Sequence, residues 1–335
     1  MSGRAPGGRG AAFIDLDRVL PRWAAQRPSP IPGVDWRLRA WLVRRELDAA
    51  AASGADVVLV GDEDAGALVV VAPSPWDSEI LGVPTFWCRA PTVWGEGEGV
   101  DAVAAELAAQ IIERVRGRGE LVMIRVDARD HVLARALEDA GFRLMDTTVT
   151  FLARFDEEPG RSLEGGGRVA LEHARPDDLS ALERIARSFR TGHFHADPRL
   201  APVADELYVQ WTRNSLATRA DAVLVVRDVE TSTPVGFITC VLDRRLAAAD
   251  PPRRHGVIEL VAVDASAQGA GVGRALVSGA LAWFRGAGAT SVEVGTQVDN
   301  VRAVRLYQRA GFRCVAFSHT FHAWPRRSGP DAVGR

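Results

Sequence analysis

Residues 268–276, QGAGVGRAL, place three glycines where an apolar run gives way to a helical pattern. The start of a helix leaves four backbone N–H groups without partners and carries partial positive charge. Glycine there lets the backbone approach a phosphate closely and adopt conformations that other residues avoid. Residues 268–274 are therefore predicted to form a ring of amides around a pyrophosphate, to which Arg274 adds positive charge.

The glycine spacing fits neither of two common phosphate-binding motifs. A dinucleotide-binding loop reads G-x-G-x-x-G after an early strand, but position 274 is Arg and the stretch lies late in its segment. A P-loop requires G-K-[ST], which this stretch lacks. The bare pattern G-x-G-x-G is equally compatible with a flexible loop that binds nothing, so the surrounding sequence has to decide.

The chain divides into two segments that end in the same way. Residues 155–168, FDEEPGRSLEGGGR, are rich in Gly, Glu, Pro and Ser, which indicates a linker. Each segment is predicted to close with strand, turn, helix, AGFR, strand, turn and strand, and Gly141 aligns with Gly311 without a gap back to the preceding strand. This repetition predicts two copies of one folding unit, although a helix–Gly–strand connection also occurs in unrelated proteins.

The two copies are unequal. Leu137 stands where the second copy has Tyr307, Asp130 stands where it has Asn300, and nothing like QGAGVG is found in the first copy. Any chemistry of the motif is therefore expected in the second copy. The predicted layout is a disordered N-terminus at 1–12, a degenerate first domain at 13–155, a linker at 156–168, a second domain at 169–325 and a disordered tail at 326–335.

Apolar periodicity in the second segment predicts a mixed α/β fold. Strands are expected at RVALEHA, DAVLVVRD, VGFITCVLD, HGVIELVAVD and SVEVGTQ. Helices are expected at RPDDLSALERIARSFR, at DELYVQWTRNSLATR, after the glycine stretch and over residues 301–310. This order of elements predicts a mixed central sheet flanked by helices.

Bulk composition argues against several classes of protein. The 335 residues carry a formal net charge of −2 with both signs well mixed, unlike a nucleic-acid-binding protein with a basic face. No apolar run reaches the roughly 18 residues of a membrane span, and the N-terminus lacks the apolar stretch of a secretory signal. Cys88, Cys240 and Cys314 are too few and too widely spaced for a disulfide framework or a metal knuckle. We therefore expect a cytoplasmic protein without a metal, either a monomer or a homodimer.

The glycine stretch and its surroundings resemble the GNAT acetyltransferase superfamily. LVAVDASAQGAGVGRALV is similar to its signature of a strand, Gln/Arg-x-x-Gly-x-Gly/Ala and a helix. DNVRAVRLYQRAGFR resembles its second motif, Asn-x-x-Ala…Tyr-x-x-x-Gly-Phe. The resemblance covers about residues 168–325 and implies the GNAT fold, acetyl-CoA as co-substrate, a catalytic second domain and a truncated GNAT-like first half.

By this resemblance, the amides of 269–274 hold the coenzyme A pyrophosphate, and the backbone of 261–263 pairs with the pantetheine arm like an added strand. The cofactor-binding residues so implied are Val261, Ala262, Val263, Gln268, Gly269, Ala270, Gly271, Val272, Gly273, Arg274 and Asn300.

Two further stretches narrow the resemblance. WDSEILGVP at 76–84 and HFHADPRL…DELYVQW at 193–211 are similar to the dTDP-fucosamine acetyltransferase group. Members of that group acetylate the amine of a nucleotide-linked amino sugar, and a truncated GNAT-like unit precedes their catalytic one. This chain is longer than that resemblance implies, chiefly in its N-terminal half.

Acetyl transfer to an amine needs a deprotonated amine, a stabilised carbonyl oxygen and a proton for the departing thiolate. Tyr307 falls at the family's acid position, and a phenol of pKa about 10 suits a thiolate of pKa about 8.5. Asn300 lies seven positions earlier, on the same helical face, and is expected to cap that helix. The resemblance alone assigns the oxyanion contact to the backbone N–H of Val263. A core or rim tyrosine bonded to a neighbour is the alternative for Tyr307.

Glu259 is the first candidate for the base. It lies on the motif strand, and a period of two predicts that it faces the same side as Val261 and Val263. An apolar setting would raise its pKa and let it accept the amine proton. A salt-bridged or solvent-facing glutamate is an equal alternative.

His193 and His195 flank Phe194 in a predicted loop on the substrate side. A neutral imidazole would also suit the role of base. Two histidines without a third ligand do not indicate a metal. Together with Arg190 and Asp197, they are predicted to contact the substrate.

The resemblance thus implies an N-acetyltransferase that moves an acetyl group from acetyl-CoA to a small amine, with a nucleotide-linked amino sugar as the leading acceptor. Direct attack in a ternary complex is expected because no cysteine lies in the motif to carry the acyl group. A protein N-terminus or an antibiotic amine is an alternative acceptor. A non-catalytic acyl-CoA-binding module is the alternative of a different class.

Overall fold

The computed structural model describes residues 14–26, 31, 34–155, 171–249 and 254–325. The predicted N-terminal extension (1–12), linker (156–168) and tail (326–335) lie outside the described residues.

The described chain contains both helices and strands, and in its second part they follow the order that the apolar patterns predict, except after AGFR. There the sequence predicts a strand, a turn and a strand, but β5 and β11 are each one continuous strand. The first part contains α1 (Leu16–Gln26), α2 (Trp36–Ser53), β1 (Asp56–Gly61), β2 (Gly66–Pro73), α3 (Pro75–Leu81), β3 (Thr85–Trp94), α4 (Glu98–Val115), β4 (Leu121–Asp127), α5 (His131–Asp139) and β5 (Arg143–Arg154). The second part contains β6 (Leu171–His173), α6 (Leu179–Ala186), α7 (His193–Ala196), α8 (Ala204–Asn214), β7 (Ala222–Arg227), β8 (Pro234–Leu242), α9 (Arg244–Ala247), β9 (His255–Val263), α10 (Val272–Gly286), β10 (Ser291–Gln297), α11 (Val301–Arg309) and β11 (Arg313–Ala323). A π-helical turn, Ser215–Arg219, extends α8, and a 3₁₀ turn, Ala265–Ala267, follows β9.

The described chain forms two compact units, which are not consecutive in sequence. The first unit contains residues 14–26, 34–146 and 318–325, and the second unit contains Ile31 and the described residues within 147–317. Each unit therefore takes a terminal strand from the other half of the chain. These units differ from the predicted consecutive domains at 13–155 and 169–325, because residues 147–154 of β5 and 318–323 of β11 change places.

The first unit has the strand order β1-β2-β3-β4-β11. β11 joins antiparallel to β4, with Phe321 opposite Ile124. One face of this sheet packs under α4 and α5 around Leu107, Ile111 and Leu133. The other face packs against α1 and α2, which contribute Val19, Leu20 and Val43.

The second unit has the strand order β5-β10-β9-β8-β7-β6. α10 and α11 cover one face of this sheet around Leu276, Phe284 and Tyr307. α6 and α8 cover the other face around Leu182, Ile185 and Val209. β9 and β10 run parallel and their neighbours run antiparallel, so the predicted mixed α/β architecture with helices on both faces is confirmed.

None of the described helices is both long and apolar enough to span a bilayer.

Candidate active site

The glycine stretch forms an exposed loop between β9 and α10. Asp264 follows β9 and caps the 3₁₀ turn by accepting from the Ser266 N–H (3.0 Å) and hydroxyl (2.7 Å). These hydrogen bonds lower the pKa of Asp264 to about 2, so the cap stays ionised. Gly269 (φ 84°) and Gly271 (φ 86°) then turn the chain in left-handed conformations. A Cβ at either position would meet no atom within 4 Å, so the dihedral angle and not crowding requires glycine.

The first backbone amides of α10 follow this turn, at the place where the sequence predicts an anion site. Gly271 is the N-cap of α10, and the N–H of Ala275 donates to its carbonyl (3.0 Å). The N–H groups of Val272 and Gly273 precede this first helical bond, so the helix itself offers them no carbonyl partner. The first turn of α10 carries no acidic residue, so its partial positive charge is not neutralised locally.

A gap opens between β9 and β10 beside this loop. Their parallel register pairs extend from Ser291 opposite His255 to Val294 opposite Ile258. β9 continues to Val263 along β8, whereas β10 continues to Gln297 along β5. The edge of β9 at residues 261–263 therefore has no described strand partner on the β10 side, which is the geometry needed for an extended arm to pair with it.

The backbone direction of Val263 follows from its neighbour. The N–H of Asp264 donates to the carbonyl of Val235 in β8 (2.8 Å). Because successive N–H groups of a strand point to opposite sides, the N–H of Val263 points away from β8 and toward the gap. It is thus directed to where the resemblance implies a thioester oxygen.

Tyr307 lies in the core beneath this site. It is on α11, only 4% exposed, with its ring centroid 5.9 Å from those of both Phe151 and Phe312. Burial raises the pKa of Tyr307 well above its ordinary value of 10. The phenol therefore keeps its proton at neutral pH, and the pKa match to a thiolate expected from the sequence does not hold for this chain without ligand.

Asn300 caps α11, as predicted. Its Oδ1 accepts from the N–H of Ala303 (3.2 Å). In the first unit Asp130 caps α5 in the same way, through the N–H of Leu133 (3.5 Å). The two sequence copies therefore share this N-cap hydrogen bond in the structure.

Glu259 does not face the side that its position in the strand predicts. The register of β8 and β9 shifts between the pairs Ile238–Val261 and Cys240–Ile258, so Glu259 and Leu260 oppose a single residue. Such a β-bulge interrupts the alternation of side chains. Val261 packs against the α10 cluster, whereas Glu259 reaches α8 on the opposite face, so the predicted shared face is wrong.

The setting of Glu259 is polar. Its carboxylate accepts from Nε (2.8 Å) and Nη2 (2.7 Å) of Arg219, and Nε1 of Trp211 lies 3.4 Å away. The hydrogen bond to Glu259 raises the pKa of the Arg219 guanidinium. Of the two alternatives for Glu259, the structure shows the salt-bridged one.

The predicted substrate residues lie around α7, and the structure brings two of them together. Nε2 of His195 lies 3.0 Å from Oδ1 of Asp205, and Nη1 of Arg190 lies 3.2 Å from the same oxygen. His193 is buried against Phe194, with ring centroids 3.9 Å apart. Asp197 is buried elsewhere in the loop, where its Oδ1 accepts from the N–H of Arg199 (3.0 Å).

Two hydrogen bonds hold Thr191, which lies just before α7, beside the gap. The hydroxyl of Tyr208 donates to the carbonyl of Thr191 (3.1 Å), and Oγ1 of Thr191 lies 3.2 Å from Oε1 of Gln297 at the end of β10. The Tyr208 ring also stacks on His195, with centroids 5.5 Å apart.

Sequence reasoning missed Asp205, Tyr208 and Gln297 as site residues. The first two lie three positions apart on α8 and so share a face, which is a signal that the stretch DELYVQW already contained.

The first unit has a counterpart of the glycine loop that sequence analysis did not detect. β3 ends at Trp94, and Gly95 (φ 111°) and Gly97 (φ 74°) then turn into α4, with Gly97 as its N-cap. Its sequence is GEGEG, and the first turn of α4 carries Glu98 and Asp101. The prediction that the first copy has nothing like QGAGVG is therefore wrong for the backbone. The residues between the glycines still differ, because the loop of the first unit carries glutamates and that of the second unit carries none.

No group of three or more His, Cys, Asp or Glu side chains suited to a metal ion is present in the part of the chain that the structure describes.

Residues 182–312 match the model of the acetyltransferase (GNAT) family. The chain carries a GNAT acetyltransferase domain. The match contains the gap between β9 and β10, the glycine loop and Tyr307. It begins after the strand β5, which completes the same sheet.

Three curated relatives of the GNAT domain are similar to this chain. The spore coat polysaccharide biosynthesis protein SpsD of Bacillus subtilis is 30% identical over 45% of this chain and 49% of its own length. The mycothiol acetyltransferase of Actinosynnema mirum is 33% identical over 76% of this chain and 66% of its own. The dTDP-fucosamine acetyltransferase of Escherichia coli is 28% identical over 52% and 69%. The chain thus spans about half the length of SpsD.

A solved structure shows the same fold. A GCN5-related N-acetyltransferase from Sphaerobacter thermophilus superposes with a TM-score of 0.59 over 93% of this chain and 94% of that protein, at 16% identity. The resemblance to the GNAT superfamily and to dTDP-fucosamine acetyltransferase is confirmed.

Proposed function

We propose that this chain transfers an acetyl group from acetyl-CoA to the primary amine of a small molecule, by direct attack in a ternary complex. The observation that carries the proposal is the adjacency of two features in the second unit. The exposed helix start at Gly271 lies next to the edge of β9 at residues 261–263, which has no described strand partner on the β10 side. The first suits a diphosphate and the second suits an extended amide-bearing arm, and coenzyme A contains both.

The proposed reaction uses three groups of the GNAT domain. The amine nitrogen attacks the thioester carbonyl carbon, and the N–H of Val263 stabilises the resulting oxyanion. The carbon–sulfur bond then breaks, and the phenol of Tyr307 donates its proton to the departing sulfur. An amide and free coenzyme A thiol leave the site, and the proton released by the amine balances the one given up by Tyr307.

His195 is the proposed acceptor of the amine proton, in place of Glu259. The carboxylate of Glu259 is already held by two hydrogen bonds from Arg219. His195 is oriented by Asp205 through Nε2, while its buried Nδ1 has no hydrogen-bond partner among the described residues. A buried ring nitrogen without a partner is unfavourable, and an acceptor amine would supply one.

A nucleotide-linked amino sugar is the first candidate acceptor. Two of the relatives are connected with sugars, namely a spore coat polysaccharide biosynthesis protein and a dTDP-fucosamine acetyltransferase. An amine related to mycothiol is the second candidate, because a mycothiol acetyltransferase aligns with 76% of this chain.

A thiol-release assay with acetyl-CoA tests the proposal. The acceptor panel contains free amino sugars, nucleotide-linked amino sugars, the amine precursor of mycothiol, peptides and aminoglycosides. We expect saturable release with a nucleotide-linked amino sugar and calorimetric binding of acetyl-CoA at one site per chain. Binding without release for every amine would overturn the transferase assignment and favour a coenzyme-binding module.

Substitution separates the two candidate bases. His195→Gln is expected to lower kcat about 100-fold, the usual effect of removing a general base, whereas Glu259→Gln lowers it less. The reverse order would return the role to Glu259.

A further inference from the structure

The strand β5 belongs by chain order to the first half, but its residues 147–154 lie in the second unit. Seven register pairs join it to β10 along the full length of that strand. The N–H of Phe155, just beyond β5, continues this contact by donating to the carbonyl of Thr290 (3.0 Å). The GNAT domain is therefore completed by a strand that lies outside residues 182–312 of the family match.

β10 depends on β5 for its pairing near the gap. Its described pairs with β9 end at Val294, and β5 is its described partner from there to Gln297. Without β5 this part of β10 would be an open edge with unpaired N–H and C=O groups. Beside the gap, β10 is therefore hydrogen-bonded to a described strand on one side only, the side of β5.

The inward-facing residues of β5 reach the proposed acid. Val149, Phe151 and Ala153 alternate into the core that contains Tyr307 and Phe312. Phe151 is 1% exposed, and its ring centroid lies 5.9 Å from that of Tyr307 at an interplanar angle of 52°. Tyr307 therefore packs between Phe312, five residues later in its own segment, and Phe151 from the other half of the sequence.

We infer that Phe151 is a positioning residue that holds Tyr307 in place, so that the first half of the sequence supplies part of the site in the second unit. This inference rests on the role proposed for Tyr307. A phenol that donates a proton in the transition state has to be held at its working distance, and small misplacements lower the rate steeply. Phe151 also contributes to the apolar packing that keeps the phenol protonated.

Phe321 provides a matched control. It lies ten residues after the glycine of AGFR, as Phe151 does, and it is 2% exposed. By chain order it belongs to the predicted catalytic domain, yet it packs in the core of the first unit with Leu137. Chain order predicts that Phe321 supports the catalytic site and Phe151 does not. The tertiary structure predicts the opposite.

The first experiment compares Phe151→Leu with Phe321→Leu in the full chain. We expect similar losses of thermal stability, because the two rings are equally buried. We expect kcat to fall about tenfold for Phe151→Leu and to stay within about twofold for Phe321→Leu, with the affinity for acetyl-CoA unchanged in both. In a Tyr307→Phe background, Phe151→Leu should cause almost no further loss of kcat. An equal loss of kcat from Phe321→Leu, or the full tenfold loss in the Tyr307→Phe background, would overturn the inference.

The second experiment does not depend on activity. The chain contains two tyrosines, so Tyr208→Phe leaves Tyr307 as the single tyrosine. In that background the phenolate absorbance is titrated at rising pH while circular dichroism follows the fold. Phe151→Leu should move the titration midpoint to lower pH, and Phe321→Leu should leave it in place. Equal midpoints in both variants would refute the inference, whereas failure of every acceptor in the thiol-release assay would refute the proposed function alone.

Discussion

The glycine loops of the two units share a backbone and differ in charge. Gly97 and Gly271 are both N-caps with positive φ, at 74° and 86°, between a strand and a helix. The loop of the first unit contains Glu96 and Glu98, and the equivalent positions of the second unit are Ala270 and Val272. Carboxylates at the start of α4 interact favourably with the partial positive charge of the helix N-terminus, and they repel a diphosphate.

A second difference concerns space. A Cβ at Gly95 would lie 2.6 Å from the carbonyl of Asp64, so the loop of the first unit is backed by the turn between β1 and β2. Gly269, the counterpart of Gly95, has nothing within 4 Å of such a Cβ, whereas the two N-caps Gly97 and Gly271 are equally open. Glycine spacing therefore preserves a fold, whereas ligand binding also depends on open space and on the charge of the intervening residues.

The largest expected effect tests the chemistry that only one copy carries. Tyr307→Phe should lower kcat about 100-fold with little change in the affinity for acetyl-CoA, because it removes a proton donor that acts in the transition state. Its counterpart Leu137 is fully buried in the first unit, and Leu137→Met is the matched control with unchanged kcat. Steady-state kinetics and calorimetry measure the two quantities.

The same residue makes a pH prediction. Because burial raises the pKa of Tyr307 above its ordinary value of 10, the protonated, active form persists to higher pH than for an exposed phenol. No loss of kcat through Tyr307 ionisation should occur up to pH 10. A decline that begins below that pH and disappears in Tyr307→Phe would contradict the buried setting of the phenol.

A smaller effect tests the charge difference between the loops. Ala270→Glu places in the second unit the carboxylate that the first unit has at Glu96, and it should weaken acetyl-CoA binding about tenfold, or about 1.4 kcal/mol. Ala270→Gln is the neutral control and should leave the dissociation constant unchanged. Titration calorimetry at two salt concentrations checks this, since screening should reduce the penalty.

A still smaller effect tests the shared backbone. Gly271→Ala and Gly97→Ala each force alanine into a positive φ, at a cost of about 1–2 kcal/mol of folding free energy. Only Gly271→Ala should also weaken acetyl-CoA binding, by about threefold, through displaced amides. A matching loss of affinity in Gly97→Ala would show that the coenzyme uses the first unit.

The smallest effect compares the two helix caps. Asn300→Ala and Asp130→Ala each remove one cap and should cost about 1 kcal/mol of folding free energy. Thermal denaturation of both variants measures this cost. We expect the affinity for acetyl-CoA to fall about twofold in Asn300→Ala only, because the resemblance implies one weak hydrogen bond from Asn300 to the coenzyme.

Short-range features of this protein were predictable from sequence. The glycine loop, the cap at Asn300 and the alternation of strands and helices depend on residues within a few positions of one another, and the structure has them where the sequence indicates. Glu259 was placed on the wrong face because a β-bulge shifts the alternation, and nothing in the local sequence marks that bulge. The pairing of His195 with Asp205 could be found only in part, because the sequence predicts a loop at His195 where the structure has the short helix α7, and Asp205 lies ten positions away on α8.

The sequence by itself determined that this chain contains two related copies and that only the second has Tyr307 and the stretch QGAGVG. Only the tertiary structure decided which strand completes which sheet. β5 and β11 both follow AGFR and carry phenylalanine at the same place, so their local patterns fit either sheet edge. The choice is made by pairing and packing between residues far apart in the chain, where Phe151 meets Tyr307 and Phe321 meets the core of the first unit.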